Sequence, residues 1–324
     1  MAQLIQQVVG QRQAKERLEK AFARGRIAPV QLFVGPSGVG KSKLAWAVAQ
    51  RLLCERSQFQ PACGQCGSCL RVAQGQSESV LWVEPDGAQI KIEQARQVLE
   101  FLSLKAWSGS RVVIVQGADL LNTQAANALL KLFEEPPPHS YIFLLASQLN
   151  SVLPTLRSRS QVLRFHSLSK EELRELLGRD TPEWVVTSAQ GRQDVAQQLM
   201  EPEAVALRDQ VFGGLHRWLK GETSVVELME DYVSVLGSQA SSLVVVNFLQ
   251  QILRDAVFYQ NRLKPLIHPH QEALVQELAH QPGVFDLAQG AFQLERDLRA
   301  NVERKLCFEA FFYQWDQRIR RHAV

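Results

Sequence analysis

Apolar residues follow two rhythms along this chain, and the change comes at residue 167. Before it, short apolar runs at 31–34, 80–83, 111–115, 141–146 and 162–165 alternate with amphipathic stretches such as 92–104 and 123–133. That alternation predicts a parallel α/β sheet with helices on both faces. The 123–133 helix must stop near Glu134 and Glu135, because Pro136, Pro137 and Pro138 cannot continue it. After Ser167 the strand runs cease. Ser169 and Glu172 have capping-box spacing, and short helices follow to about residue 200. A break at Glu201, Pro202 and Glu203 leads into a wholly helical pattern, with Val245, Leu249, Ile252, Leu253 and Ala256 on one face. That face suits either an assembly surface or an internal core. The expected organisation is an α/β domain over 1–166, a small helical lid over 167–203 and an all-helical domain over 204–324.

Composition narrows this only a little. The 324 residues are 46% hydrophobic and 21% charged, ordinary for a globular chain of two or three domains. The most apolar stretch, 243–249, is short and interrupted by Asn247, so no membrane span is expected. The N-terminus lacks the basic and apolar regions of an export signal, which predicts a cytoplasmic protein. A net charge of +3 permits a local DNA-facing patch without arguing for one.

Residues 35–42 read Gly-Pro-Ser-Gly-Val-Gly-Lys-Ser, a complete phosphate-binding loop between a predicted strand and a predicted helix over 44–53. In that setting Gly35, Gly38 and Gly40 let the backbone wrap phosphate oxygens. Lys41 reaches the β- and γ-phosphates of ATP or ADP, and the Ser42 hydroxyl ligates Mg²⁺. Hydrolysis asks for more: an acid at the end of a neighbouring strand to help hold Mg²⁺, and often a second to orient water. The strand at 112–115 runs instead into Gln116 and Gly117. Asp119 follows three residues on, about 10 Å away along an extended chain and too far to substitute. A competing reading uses the strand at 80–83 with Glu84 and Asp86, although that segment looks first like a turn. The chain therefore reads as a nucleotide pocket with crippled hydrolysis.

Cys54, Cys63, Cys66 and Cys69 lie as C-x8-C-x2-C-x2-C. Four thiolates close a tetrahedral Zn²⁺ site with no open position, which makes such a site structural. A redox dithiol needs only one C-x-x-C and leaves two cysteines unexplained. Cys307, alone in a helical apolar setting, reads as a core residue.

The order of P-loop, four-cysteine insertion over 54–69, Asn127–Lys131, Glu134-Glu-Pro-Pro137 and 156–160 (Leu-Arg-Ser-Arg-Ser) resembles the bacterial clamp-loader AAA+ family over about the first 200 residues. Val9-Gly10-Gln11 is similar to that family's adenine-side segment. The resemblance implies a subunit of the DNA polymerase III holoenzyme. It would sit in a hetero-oligomeric ring with motor and wrench subunits that loads a sliding clamp onto primer–template DNA. The family's motors carry Asp-Glu at the end of the third strand, so Gln116-Gly117 places the chain with the stator. Ser147 matches the sensor-1 position, and it also suits a plain strand-end turn. Gly191-Arg192-Gln193-Asp194 resembles the sensor-2 segment, with Asp194 where motors place arginine and Arg192 offset by two. Arg159 matches the arginine finger that enters a neighbour's ATP site, although on general grounds a loop arginine is a solvated charge. Two other readings stay open at this point: an active motor-type ATPase, and a zinc-stabilised DNA-binding module with a vestigial P-loop.

Overall fold

The computed structural model describes residues 3–56, 60–103, 109–235, 239–264 and 266–322, and packing divides them into two units. The first unit takes residues up to 180 together with Gln190–Val195, and the second takes Thr181–Ala189 and everything from Ala196 onward. The expected lid over 167–203 is thus shared between the two. Trp184, Val185 and Val186 carry the middle of it into the helical unit, where the Trp184 ring lies 6.1 Å from His268 and 6.3 Å from Phe248.

The first unit is built on five parallel strands: β1 (Val30–Val34), β2 (Val80–Val83), β3 (Arg111–Gln116), β4 (Ser140–Ala146) and β5 (Gln161–Arg164). They lie in the order β2-β3-β4-β1-β5, all parallel, so every connection crosses over. The central strands are buried on both faces, which is why they read as continuous apolar runs instead of alternating ones. One face is covered by α1 (Arg12–Ala23) and α2 (Lys41–Leu52), whose Leu18, Phe22, Leu44 and Val48 pack on Phe33, Val112, Ile114 and Phe143. The other is covered by α4 (Ile92–Ser103) and α5 (Thr123–Glu134) through Val98, Leu102, Leu129 and Phe133. Leu104, expected to close α4, lies outside the described residues, as do residues 57–59 of the cysteine insertion. Asn122 caps α5 by accepting from Ala125 N at 2.8 Å, and the helix ends at Glu134 just before the three prolines. The remaining elements here are α3 (Gly67–Ala73), α6 (Pro154–Ser158) and α7 (Lys170–Leu177). The predicted capping box forms at α7, with Ser169 Oγ accepting from Glu172 N.

The second unit is helical: α8 (Glu183–Ser188), α10 (Pro202–Leu219), α11 (Val225–Val235), α12 (Gln239–Gln260), α13 (Glu272–Ala279), α14 (Val284–Arg299) and α15 (Arg304–His322), with the division falling inside α9 (Gln193–Met200). Val245, Leu249, Ile252, Leu253 and Ala256 are wholly buried. The internal-core alternative for that face is the one observed, because α13 and α14 pack directly along α12. Cys307 is also a core residue, buried like Phe308 and Phe311 of the same helix. Asp255, buried in α12, accepts from the backbone N–H groups of Ile267 and His268 and so pins the turn after α12. Burial holds His268 neutral, with its pKa pushed down to about 3, and its Nε2 lies 2.8 Å from Gln251 Oε1. Among the described residues no helix is long and apolar enough to cross a membrane.

Candidate functional site: a phosphate loop, a thiolate cluster and an exposed arginine

The P-loop sits where the sequence places it, at the C-terminal end of β1, and α2 begins at Lys41 itself, earlier than the predicted residue 44. Gly40 caps the helix in the left-handed region (φ 96°), which leaves the first N–H groups of α2 facing the loop. Lys41 is buried, and its Nζ donates to the carbonyls of Gly35 (2.5 Å) and Pro36 (2.6 Å). Burial pushes its pKa down to about 8, opposed by the charges of Asp119 and Asp194. Gln11, in the segment the resemblance puts on the adenine side, staples the loop to the end of the sheet. Its Nε2 donates to the carbonyls of Val39 (3.1 Å) and His166 (2.7 Å), while its Oε1 accepts from His166 N (3.1 Å).

The sheet register fixes where Gln116 lies. Gln116 pairs with Leu145 of β4, and Leu145 pairs with Phe33 of β1, so the amide stands level with the strand end that feeds the P-loop. Glu84 and Asp86 follow β2, three strands from β1 and so about 14 Å across the sheet. Asp86 is paired with Lys91 at 2.8 Å, and β2 is the edge strand on the far side of the sheet from the P-loop strand's end. Asp119 corrects the extended-chain argument. Residues Ala118–Leu120 form a 3₁₀ turn instead of continuing outward, and Asp119 Oδ2 accepts from Ser147 N at 3.1 Å. The same carboxylate acts on Lys41. Ser147 therefore meets the fold-back acid through its backbone.

Gly191 to Asp194 lie along the P-loop. Gly191 adopts φ +77° and a Cβ there would meet Leu168 O at 2.3 Å, so only glycine allows the segment to pass this close to the Leu168 backbone. Gln193 N donates to Gly38 O (3.0 Å), Lys43 Nζ to Gln193 Oε1 (2.8 Å), and Ser37 Oγ to Asp194 Oδ2 (3.1 Å). Arg192, the offset sensor-2 candidate, spends its guanidinium on Asp194 at 3.0 Å.

The four cysteines converge, with their sulfur atoms within 4.8 Å of one another. A tetrahedral site with metal–sulfur bonds of ~2.3 Å needs sulfurs ~3.8 Å apart, and Cys63 and Cys69 are already at 3.9 Å. Backbone N–H groups point at the sulfurs: Cys66 N to Cys63 Sγ (3.3 Å), Cys69 N to Cys66 Sγ (3.4 Å) and Cys63 N to Cys54 Sγ (3.5 Å). Those from Gln65 and Cys66 bring the Cys63 thiol down to about 6, whereas burial pushes Cys69 up. N–H donors aimed at sulfur favour thiolates, so this donor set fits a metal ion.

Arg159 closes α6 on the surface, about a third exposed. Its Nε donates to Glu134 Oε1 at 2.8 Å and its Nη2 to the same oxygen. Nη1 donates to Thr155 O (3.1 Å) and Ser158 Oγ (3.3 Å). The carboxylate partner comes from the last residue of α5, placed there by the prolines.

A five-stranded parallel sheet in this order, with a P-loop after β1 and a helical unit following, defines an AAA+ P-loop protein. The family described as "DNA polymerase III, delta subunit" matches residues 10–169. DNA polymerase III subunit delta' of Pseudomonas aeruginosa is 32% identical over 222 residues, 65% of this chain and 68% of that protein. The chain belongs to the delta-prime family of DNA polymerase III clamp-loader subunits. It is also 35% identical over 175 residues to DNA polymerase III subunit gamma/tau of Mycobacterium tuberculosis, covering 53% of this chain and 30% of that longer protein. A gamma subunit-related protein of Thermotoga maritima shares the fold, with a TM-score of 0.54 at 16% identity over 94% of this chain and 98% of that one.

Proposed function

We propose that this chain is the stator of a clamp loader: a ring subunit that hydrolyses ATP poorly itself and completes a neighbour's ATP site with Arg159. The observation that carries the reading is the pairing of an amide with an exposed arginine. Gln116, an amide, ends β3 level with the end of the P-loop strand, and Arg159 sits on the surface, where another subunit can reach it. The motor and wrench subunits, the sliding clamp and primer–template DNA are its partners, in the cytoplasm. DNA contact falls on phosphates.

The helical unit acts as the ring's collar. Because Leu249, Ile252 and Leu253 are spent on its own core, the contact must use residues still exposed, such as Phe285 and Phe292, seven positions apart on α14. Full-length protein carrying Phe285→Ser and Phe292→Ser should stay folded and co-elute less with partner subunits. Undiminished co-elution would move the collar contact elsewhere.

The metal is Zn²⁺, held by Cys54, Cys63, Cys66 and Cys69 in a closed structural site. Protein purified without chelator should carry one zinc per chain, and Cys66→Ser should lose it. Faster hydrogen exchange should then be confined to the insertion, with nucleotide affinity unchanged, because such a site supplies local folding energy and no chemistry. Metal-free protein with the same exchange pattern as the metal-loaded form would contradict this.

A further inference from the structure

The P-loop is intact in sequence, yet its outer turn is already engaged by the chain's own residues. Gly38 is at φ +70°, and a Cβ on it would fall 1.8 Å from Asp194 Oδ1 and 2.3 Å from Asp194 Cγ. The carboxylate therefore packs directly on the loop's backbone. It is held there from several directions: Ser37 Oγ on Oδ2, the Arg192 guanidinium on both oxygens, and Val195 N on Oδ1 at 2.9 Å. The Gln193–Gly38 and Lys43–Gln193 hydrogen bonds fix the adjoining backbone and side chain on either side of it. Lys41, meanwhile, is turned onto its own loop carbonyls.

We propose that Asp194 determines what this P-loop accepts: its carboxylate is a fixed anion on the phosphate loop that turns nucleoside di- and triphosphates away. The inference goes beyond the missing acid at Gln116. That substitution removes Mg²⁺ support and hydrolysis, but it leaves the phosphate cradle of backbone N–H groups and Lys41 in place. A phosphate entering that cradle would meet the carboxylate packed on Gly38, a like charge that Arg192 offsets only in part. Burial raises the Asp194 carboxyl, but the Arg192 and Val195 hydrogen bonds outweigh it and keep the group ionised at neutral pH. Arg192 cannot serve the incoming phosphate without abandoning Asp194, so the one nearby cation of this segment is already committed to the internal anion. The proposal rests on the reading of this chain as a subunit whose own pocket is not used for turnover.

The test is equilibrium binding of Mg-ADP and Mg-ATP to the full-length protein by calorimetry, with thermal melting to verify folding. Asp194→Asn keeps the shape and the Ser37 contact while removing the charge, and it should bind at least about tenfold tighter than wild type. Asp194→Ala should also gain, whereas Asp194→Glu, which keeps the charge, should not. Adding Lys41→Ala to Asp194→Asn should erase the gain, showing that the nucleotide sits in the P-loop. A folded Asn variant as weak as wild type would overturn the role of Asp194 and leave the stator reading intact. Equal gains from Asn and Glu would overturn it too, since charge would not be the cause. Tight binding by wild type would overturn both this role and the unused-pocket reading.

Discussion

Isolated protein given Mg-ATP is expected to release phosphate no faster than its own Lys41→Ala variant. Phosphoryl transfer depends on positioning and on electrostatic stabilisation of charge by Mg²⁺ and its ligands. This chain offers Lys41 and Ser42 on the P-loop side, but Gln116 on the strand side contributes no charge to a metal ion. Asp119 is the residue that could rescue the site, since the 3₁₀ turn brings its charge to bear on Lys41. It is, however, already bonded to Ser147 N at 3.1 Å. Asp119→Asn should therefore leave the baseline where it is. Robust steady-state turnover lost on both Lys41→Ala and Asp119→Asn would show that the turn has reinstated the acid, and the chain would be a motor.

Replacing Arg159 by alanine should cripple a site that belongs to another subunit. In the structure the guanidinium is engaged by Glu134, Thr155 and Ser158. Since the Glu134 side chain is half exposed, that ion pair is worth only about 0–1 kcal/mol. An arginine finger is worth roughly 10³–10⁵ in rate, or about 4–7 kcal/mol. The second figure is larger by a wide margin, so releasing Arg159 to a neighbour's phosphates would be cheap relative to what a finger there would achieve. Arg159→Ala should leave ring assembly and zinc content intact while turnover at the adjoining motor site collapses towards its unassisted rate. Arg157→Ala should do little. Arg159→Lys should rescue only partly, because a point charge does not reproduce the planar fork. Unchanged ATPase and clamp loading by the alanine variant would return Arg159 to an ordinary surface charge.

Much of this site lies in local pattern. The P-loop between strand and helix, the five apolar runs and the closely spaced cysteines are short-range features, and each appears in the structure where the chain suggests it. What escapes is set by distant contacts. Asp194 reaches Ser37 across 157 positions, and Gln11 reaches His166 across 155. No periodicity encodes either contact. Asp119 lies closer in than its place in the sequence suggests, because counting along an extended strand ignores the 3₁₀ turn at Ala118–Leu120. The apolar face of α12 could not be assigned from sequence, because burial inside a helical core and burial against a partner demand the same residues. Departures from pattern were more informative than matches. Gln116 ends β3 level with the strand that feeds the phosphate loop, and Asp194 packs on that loop, so both departures from the family pattern fall near it.

The most direct measurement is DNA-stimulated ATP hydrolysis by the reconstituted clamp loader, with wild-type, Lys41→Ala or Arg159→Ala protein as this subunit. Each complex should first be shown to assemble. The account predicts that the Lys41 variant supports the full wild-type rate, because its own pocket does no turnover, while the Arg159 variant slows hydrolysis strongly. The opposite pattern, with Lys41→Ala slow and Arg159→Ala normal, would contradict it and make this chain a working ATPase rather than the stator that completes one.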